Sequence, residues 1–260
     1  MGRCAHHNGR CNRCEGELPF AFTMAFQPIV DLKQRGVHAY EALVRGPNGE
    51  SAGHVLGQVT DELLYRFDQA CRVKAIEQAS ALGMRESLSI NFLPNAVYEP
   101  EACIQATLEV SRRVGWPLEK LIFEVVESEF IQNREHLQSI ITAYRRMGFT
   151  VALDDFGTGY ANLDLLTCLT LDKLKLDRQL IKGCNGDPRR QALLHAVIKL
   201  ARLLGLSLVA EGVETREEAS WLYRAGIHLQ QGYYFAHPTL NALAHDLAPR
   251  ITGALDLSAP

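Results

Sequence analysis

No uninterrupted apolar run in the 260-residue sequence approaches the roughly 18 residues that a membrane-spanning helix needs. The opening stretch, Met1–Arg13, is too polar for a secretory leader, and the two absences together predict a soluble, cytoplasmic protein. A basic surplus is missing too: 27 Lys and Arg stand against 30 Asp and Glu, for a formal net charge of −3. Non-specific binding of long nucleic acid relies on a basic surface and is not expected, whereas a small phosphorylated ligand suits this balance. An even cysteine framework is also absent. The seven cysteines, at 4, 11, 14, 71, 103, 168 and 184, belong to a chain expected in a reducing compartment, so disulfides are not expected. Cys71, Cys103 and Cys168 sit in apolar surroundings and read as small core residues. Phe22–Arg250 holds no internal repeat, low-complexity segment or linker. The length then suits one large domain with a substantial core. Its expected limits are 18–250, between an N-terminal extension, 1–17, and a tail, 251–260.

Short β-rich runs alternate with longer segments of helical period, the pattern of a parallel sheet with helices packed outside it. The strand candidates are Phe22–Val30, Val37–Val44, Leu88–Phe92, Leu121–Val126, Thr150–Leu153, Lys173–Leu176, Ser207–Ala210 and His228–Tyr234. Between them, Leu137, Ile140, Ile141, Tyr144 and Met147 keep to one helical face, as do Leu193, Leu194, Val197, Ile198, Ala201 and Leu204. Asp187-Pro188 predicts a helix N-cap and first turn, and Thr215 with Glu218 fits a capping box. Eight strands with helices between most of them predict an α/β fold of the (β/α)₈-barrel type. The first two runs are joined only by Leu32–Gly36, a hairpin-like connection, so one strand is expected to run antiparallel to its neighbour.

Polar residues recur at the ends of these strands: Glu41, Asn91, Glu124 with Glu127, Asp154 with Asp155, Lys175, Glu211 and Gln231. In a barrel, catalytic groups converge from the C-terminal ends of different strands. Taken alone, Asp154-Asp155 before Gly157 and Gly159 is also the composition of an acidic surface turn. Lys175 alone could be a solvated edge lysine. Polar residues at one strand end after another favour a site. Carboxylate and amide oxygens, with no His or thiolate at these positions, suit a hard cation, Mg²⁺ or Mn²⁺, better than Zn²⁺. Two such ions could share Asp154, with Asp155 on the second, and clamp a phosphodiester. Strand alternation in Lys173–Asp177 turns Lys175 into the barrel if Leu174 and Leu176 meet the outer helices.

The ordered series Gln27-Pro28-Ile29-Val30, Glu41-Ala42-Leu43-Val44-Arg45, Asn91-Phe92-Leu93-Pro94, Glu124 with Glu127, Asp154–Tyr160, Lys175-Leu176-Asp177, Glu211–Glu214 and Gln231–Phe235 resembles the EAL-domain cyclic di-GMP phosphodiesterases. The resemblance spans about residues 22–240. It implies a modified TIM (β/α)₈ barrel with one antiparallel strand, and a bacterial cytoplasmic enzyme that hydrolyses cyclic di-GMP to linear pGpG with two Mg²⁺ or Mn²⁺ ions. Carried over by motif, Glu41, Asn91, Glu124 and Asp154 would hold one metal; Asp154, Asp155 and Glu211 would serve the other. Lys175 would orient the attacking water, so that Lys175, Glu211 and Glu41 form the catalytic set. Gln27, Leu43, Arg45 and Gln231 would contact the dinucleotide. Glu127 and Glu214 would hold the loop after Asp155, which the resemblance places near a homodimer interface. Two departures, Ala161-Asn162 in place of a serine pair and His228 in place of an acidic residue, remove no metal ligand. The competing expectation is a non-hydrolytic cyclic di-GMP receptor, or a regulator acting by protein contact, on the same fold. In the extension, Cys4, Cys11 and Cys14 with His6 offer the soft ligands of a structural Zn²⁺ site, against the alternative of a disordered tail whose cysteines are incidental or redox-active.

Overall fold

The structure, a computed structural model, describes residues 6–7, 10–11, 16–97, 99–126, 134–157 and 163–256. Thr23–Asp31 (β1) is buried along its whole length and pairs antiparallel with Gly36–Arg45 (β2), Gln27 lying opposite Glu41. From β2 onward the strands run parallel in chain order: Ser87–Asn91 (β3), Leu121–Val126 (β4), Thr150–Phe156 (β5), Lys173–Leu176 (β6), Ser207–Ala210 (β7) and Leu229–Gln230 (β8). β8 then pairs antiparallel with β1 and closes the barrel. β1 is the antiparallel member, as the short connection predicts. Thr239–Leu240 (β9) pairs with β1 further along.

The barrel encloses a small apolar cluster of Ile29, Ala39, Ile122, Ala152 and Val209, with Leu229 against it. A much larger cluster fills the space between sheet and helices. Side chains alternate along a strand. Two residues beyond Ala39, Ile122, Ala152, Val209 and Leu229, the same inward face presents Glu41, Glu124, Asp154, Glu211 and Gln231. β1 runs the other way, so its matching residue, Gln27, comes two positions before Ile29. The apolar plug is therefore the floor on which the polar strand ends converge.

Two irregularities adjust this alternation. Leu153 pairs with Leu174 and Phe156 with Leu176, so β5 carries one residue more than β6 across Asp154-Asp155, and Asp155 takes a left-handed φ of 55°. Asp tolerates that conformation better than most residues. A bulge re-aims side chains, and this one lets two sequence neighbours serve one site. It also extends β5 beyond the expected Thr150–Leu153. At the other end of the barrel, Val30 pairs with Val37 but Ile29 with Ala39, leaving His38 as the extra residue of a second bulge.

The expected caps form. Asp187 accepts from the backbone of Arg189 and Arg190 ahead of helix Pro188–Leu204, and Thr215 with Glu218 makes a reciprocal capping box on helix Arg216–Ala225. Helix Arg134–Arg146 buries Leu137, Ile140, Ile141 and Tyr144. On helix Pro188–Leu204 the expected face is narrower: Leu194, Val197, Ile198 and Ala201 are buried, but Leu193 is 49% and Leu204 46% exposed. At 3.6 residues per turn those two leucines stand roughly 70–90° from the middle of the buried stripe. Cys71, Cys103, Cys168 and Cys184 are free thiols, and Cys184, which sequence reasoning passed over, is as buried as Cys103. Among the described residues, no helix is long and apolar enough to cross a membrane.

The last strand is shorter than the expected His228–Tyr234, because the chain turns at Gly232 against the backbone of Val213. A Cβ at Gly232 would lie 2.1 Å from the Val213 carbonyl oxygen and 2.3 Å from its nitrogen. Gly232→Ala should therefore cost about 1–3 kcal/mol, as overpacking does, and displace Gln231; chemical denaturation of the pure variant measures the loss. Near the N-terminus, His6–His7 pairs antiparallel with Arg10–Cys11, His6 opposite Cys11. Cys4 and Cys14, the other thiols of the expected zinc set, lie outside the described residues.

Candidate active site at the C-terminal mouth of the barrel

Lys175 is the centre of the site. It is 1% exposed, and its ammonium lies 2.8 Å from Glu124, 3.0 Å from Asp154, 2.7 Å from Glu211 and 3.4 Å from Glu41. Leu174 and Leu176 are buried among the residues beneath the outer helices, which leaves Lys175 facing inward as the alternation predicts. Burial alone would push this lysine down, but the carboxylates of Asp154, Glu124, Glu211 and Glu41 overcome that and hold its pKa well above the usual value. The solvated-edge reading of Lys175 is thereby excluded.

The sequence-expected residues of the strand ends come together around it. Asn91 donates from Nδ2 to Glu41 Oε1 at 3.0 Å, an orientation in which its amide oxygen could take a cation. Gln231 donates from Nε2 to Glu41 Oε2 at 2.7 Å and to Gln27 Oε1 at 3.1 Å, while Gln27 donates to the carbonyl of Ala236. Both glutamines are buried; Gln231 orients Glu41 directly, and Gln27 holds Gln231. Gln231 Oε1 is buried with no hydrogen-bond partner among the described residues. Leu43 and Arg45 follow Glu41 on the same face of β2 and are only partly buried, with Arg45 donating to the carbonyl of Val44. Glu214 stands further out, ion-paired to Arg178 at 2.6 Å. Glu127 lies outside the described residues.

Five carboxylates, Glu41, Glu124, Asp154, Asp155 and Glu211, surround one ammonium. Burial, and then the neighbouring negative charges, raise the Glu124 and Glu211 pKa values well above the carboxylate range, although Lys175 pulls both down. Burial and Asp154 push Asp155 up to about 6. This excess of buried negative charge is costly unless cations offset it. Glu41, Glu124 and Asp154 offer ligand atoms within 4.8 Å of one another, and so do Asp154, Asp155 and Glu211. The two triads share Asp154, so the donor set fits two adjacent hard cations.

Sequence reasoning missed two supports. Ser89, fully buried two residues before Asn91, donates to Glu124 Oε1 at 2.5 Å. Its only signal was the inward parity it shares with Asn91. Asp68, on helix Leu64–Ala81, accepts from the backbone N–H of Leu93 at 3.0 Å and from Arg72 at 2.5 Å; Arg72 in turn donates to the Tyr144 hydroxyl at 3.4 Å. Burial works against the Arg72 charge, but Asp68 and Tyr144 outweigh it and raise the pKa. This buried pair anchors the segment that carries Asn91.

A family described as "EAL domain" matches residues 20–238. Two curated relatives from Escherichia coli K12 are the blue light- and temperature-regulated antirepressor BluF, 35% identical over 84% of this chain and 55% of its own length, and the probable cyclic di-GMP phosphodiesterase PdeG, 32% identical over 82% and 44%. The chain thus spans about half the length of these relatives. Among solved structures, a standalone EAL protein from Vibrio cholerae O395 in its c-di-GMP-bound form has a TM-score of 0.85 and 46% identity, covering 88% of this chain and 96% of that one. The manganese and cyclic di-GMP complex of Klebsiella pneumoniae BlrP1 has a TM-score of 0.80 and 34% identity, covering 88% and 59%.

Proposed function

The chain belongs to the EAL domain family, and from that premise we propose that it hydrolyses cyclic di-GMP to linear pGpG. The observation that carries this reading is the pair of carboxylate triads sharing Asp154 at the barrel mouth. Glu41, Asn91, Glu124 and Asp154 would hold one Mg²⁺ or Mn²⁺, and Asp154, Asp155 and Glu211 the other. When bound, two such ions lower the pKa of water and neutralise charge on a phosphodiester.

The chain's own residues supply the rest. Lys175, held charged between four carboxylates, places a fixed cation beside the phosphate and keeps the ligands in register. Ser89, Asn91 and Gln231 fix Glu124 and Glu41 through hydrogen bonds, so little reorganisation accompanies reaction. The unpartnered Gln231 Oε1 offers an acceptor for an N–H of the ligand. Water adds its oxygen to one ring phosphorus, one P–O ester bond breaks, and the released sugar oxygen takes a proton, giving a linear dinucleotide. Glu211, as a ligand, is not available as a general base. The receptor reading, which the relationship to an antirepressor keeps in play, predicts binding without this bond cleavage.

Calorimetric titration of the metal-free protein with Mn²⁺ should find two ions per chain, and Glu211→Gln should keep one of them. Two ions retained in that variant would remove Glu211 from the ligand set. A proton competes with a cation for a carboxylate. With Asp155 at about 6, the Mn²⁺ site that includes Asp155 should lose affinity as pH falls from 7 through 6, and a pH series of the same titration checks the sign.

Lys175→Met should separate binding from turnover: Mn²⁺ and cyclic di-GMP binding persist, while product formation falls by about 100-fold or more, the size of a lost electrostatic contact to the reacting group. Near-normal turnover would place the lysine away from the chemistry. The reading extends to a homodimer that meets at the loop after Asp155, where Leu163 is 56% exposed; residues 158–162 of that loop lie outside the described residues. Light scattering with activity measured against protein concentration tests it; full activity from a strict monomer contradicts it.

A further inference from the structure

The opposite mouth of the barrel holds a second pocket, of about 420 Å³, lined among others by Asp31, Lys33, His38, Lys173, Arg202 and His228. These come from the C-terminal end of the antiparallel β1 and the turn after it, the starts of β2 and β6, the end of helix Pro188–Leu204, and the residue before β8. None belongs to the carboxylate cluster. Lys173 shares the inward parity of Lys175, two residues on. His38 would point outward by simple alternation, but it is the extra residue of the β2 bulge, and its Nε2 lies 3.1 Å from Lys173 Nζ. With the ammonium donating, the imidazole accepts at Nε2 and carries its own proton on Nδ1. The sequence thus spends a bulge on aiming a histidine at a lysine.

Three cations, Lys33, Lys173 and Arg202, reach this pocket, and none makes an ion pair among the described residues. The one carboxylate of the lining, Asp31, is occupied in capping its own turn, accepting from the backbone of Lys33 and Gln34 at 2.8 and 3.1 Å. His228 Nδ1 is buried with no hydrogen-bond partner among the described residues. Burial holds Lys173 below its ordinary pKa, and burial followed by the Lys173 charge does the same to His38. Asp31 and Asp172 offset part of the Lys173 charge, yet the lining stays net positive, and a bound anion would complete the balance. A lining of three cations against one carboxylate matches a doubly charged phosphoryl group better than a single carboxylate. The volume exceeds what phosphate needs and lies within the range of small-molecule sites.

We propose that this pocket binds a phosphorylated small molecule, its phosphoryl group held between Lys173, Lys33 and Arg202 and its remainder over the apolar wall of Leu229 and Ile198. Inorganic phosphate is the minimal probe. Metal-free protein, whose acidic mouth repels anions, is titrated with phosphate by calorimetry, with acetate at equal ionic strength as the carboxylate arm. Saturable binding of one phosphate per chain, little acetate binding, and weakening by about tenfold or more in both Lys173→Met and Arg202→Ala, as for a lost charge-assisted contact, are expected. Arg202 is exposed, so its variant reads the site even if Lys173→Met folds poorly. Asp154→Asn, at the other mouth, should leave phosphate affinity unchanged. Absence of saturable phosphate binding, affinity retained in Arg202→Ala, or affinity lost in Asp154→Asn overturns the proposal.

Discussion

Asp154→Asn should abolish hydrolysis of cyclic di-GMP and yet leave the metal-free protein as stable as the parent, or more so. Asp154 belongs to both ligand triads, so its loss disables both cation sites, and turnover should fall by at least about 100-fold. Without cations the same carboxylate is one of five crowded around Lys175, and it contributes to the raised pKa values of Glu124, Glu211 and Asp155. Removing its charge relieves that repulsion, while Lys175 keeps Glu41, Glu124 and Glu211 as partners. The site is therefore expected to trade stability for activity. Thermal unfolding in chelator, beside turnover in Mn²⁺, reads both halves. A marked drop in the metal-free midpoint would mean that Asp154 stabilises the fold through Lys175 more than it repels its neighbours.

Asp68→Ala should be among the most damaging single substitutions in the chain. It leaves the Arg72 guanidinium buried and unpaired, for which the expected loss is about 3–5 kcal/mol. Arg72 is fully buried beneath Tyr144, so water cannot replace the missing carboxylate. The backbone N–H of Leu93 loses its acceptor as well, which loosens the segment carrying Asn91 and should lower turnover in whatever protein still folds. The double variant Asp68→Ala with Arg72→Met removes the stranded charge and should recover much of the stability but not the turnover. Urea denaturation of the three proteins decides it. A loss below about 1 kcal/mol in the single variant, the level of an exposed pair, would show that Arg72 finds another partner.

The antiparallel first strand was legible because five residues, Leu32–Gly36, cannot carry a parallel crossover. The site was legible because inward parity and strand ends coincide at Glu41, Asn91, Glu124, Asp154, Lys175, Glu211 and Gln231. The supports were not. Asp68 and Arg72 are four apart on a helix, a spacing that on sequence alone reads as a surface ion pair. A serine such as Ser89 carries no signal of burial. The bulges at His38 and Asp155 depend on register against a partner strand, which no single segment specifies. The buried roles of Gln27 and Gln231 emerge only when barrel closure brings β8 against β1.

The most direct measurement is to incubate the purified protein with Mn²⁺ and cyclic di-GMP and separate the nucleotides by chromatography, with ligand binding measured on the same preparation. The account predicts conversion to pGpG that stops on chelation and returns when Mn²⁺ is restored. Cyclic di-GMP bound and recovered intact, by folded protein loaded with two Mn²⁺ per chain, would contradict it.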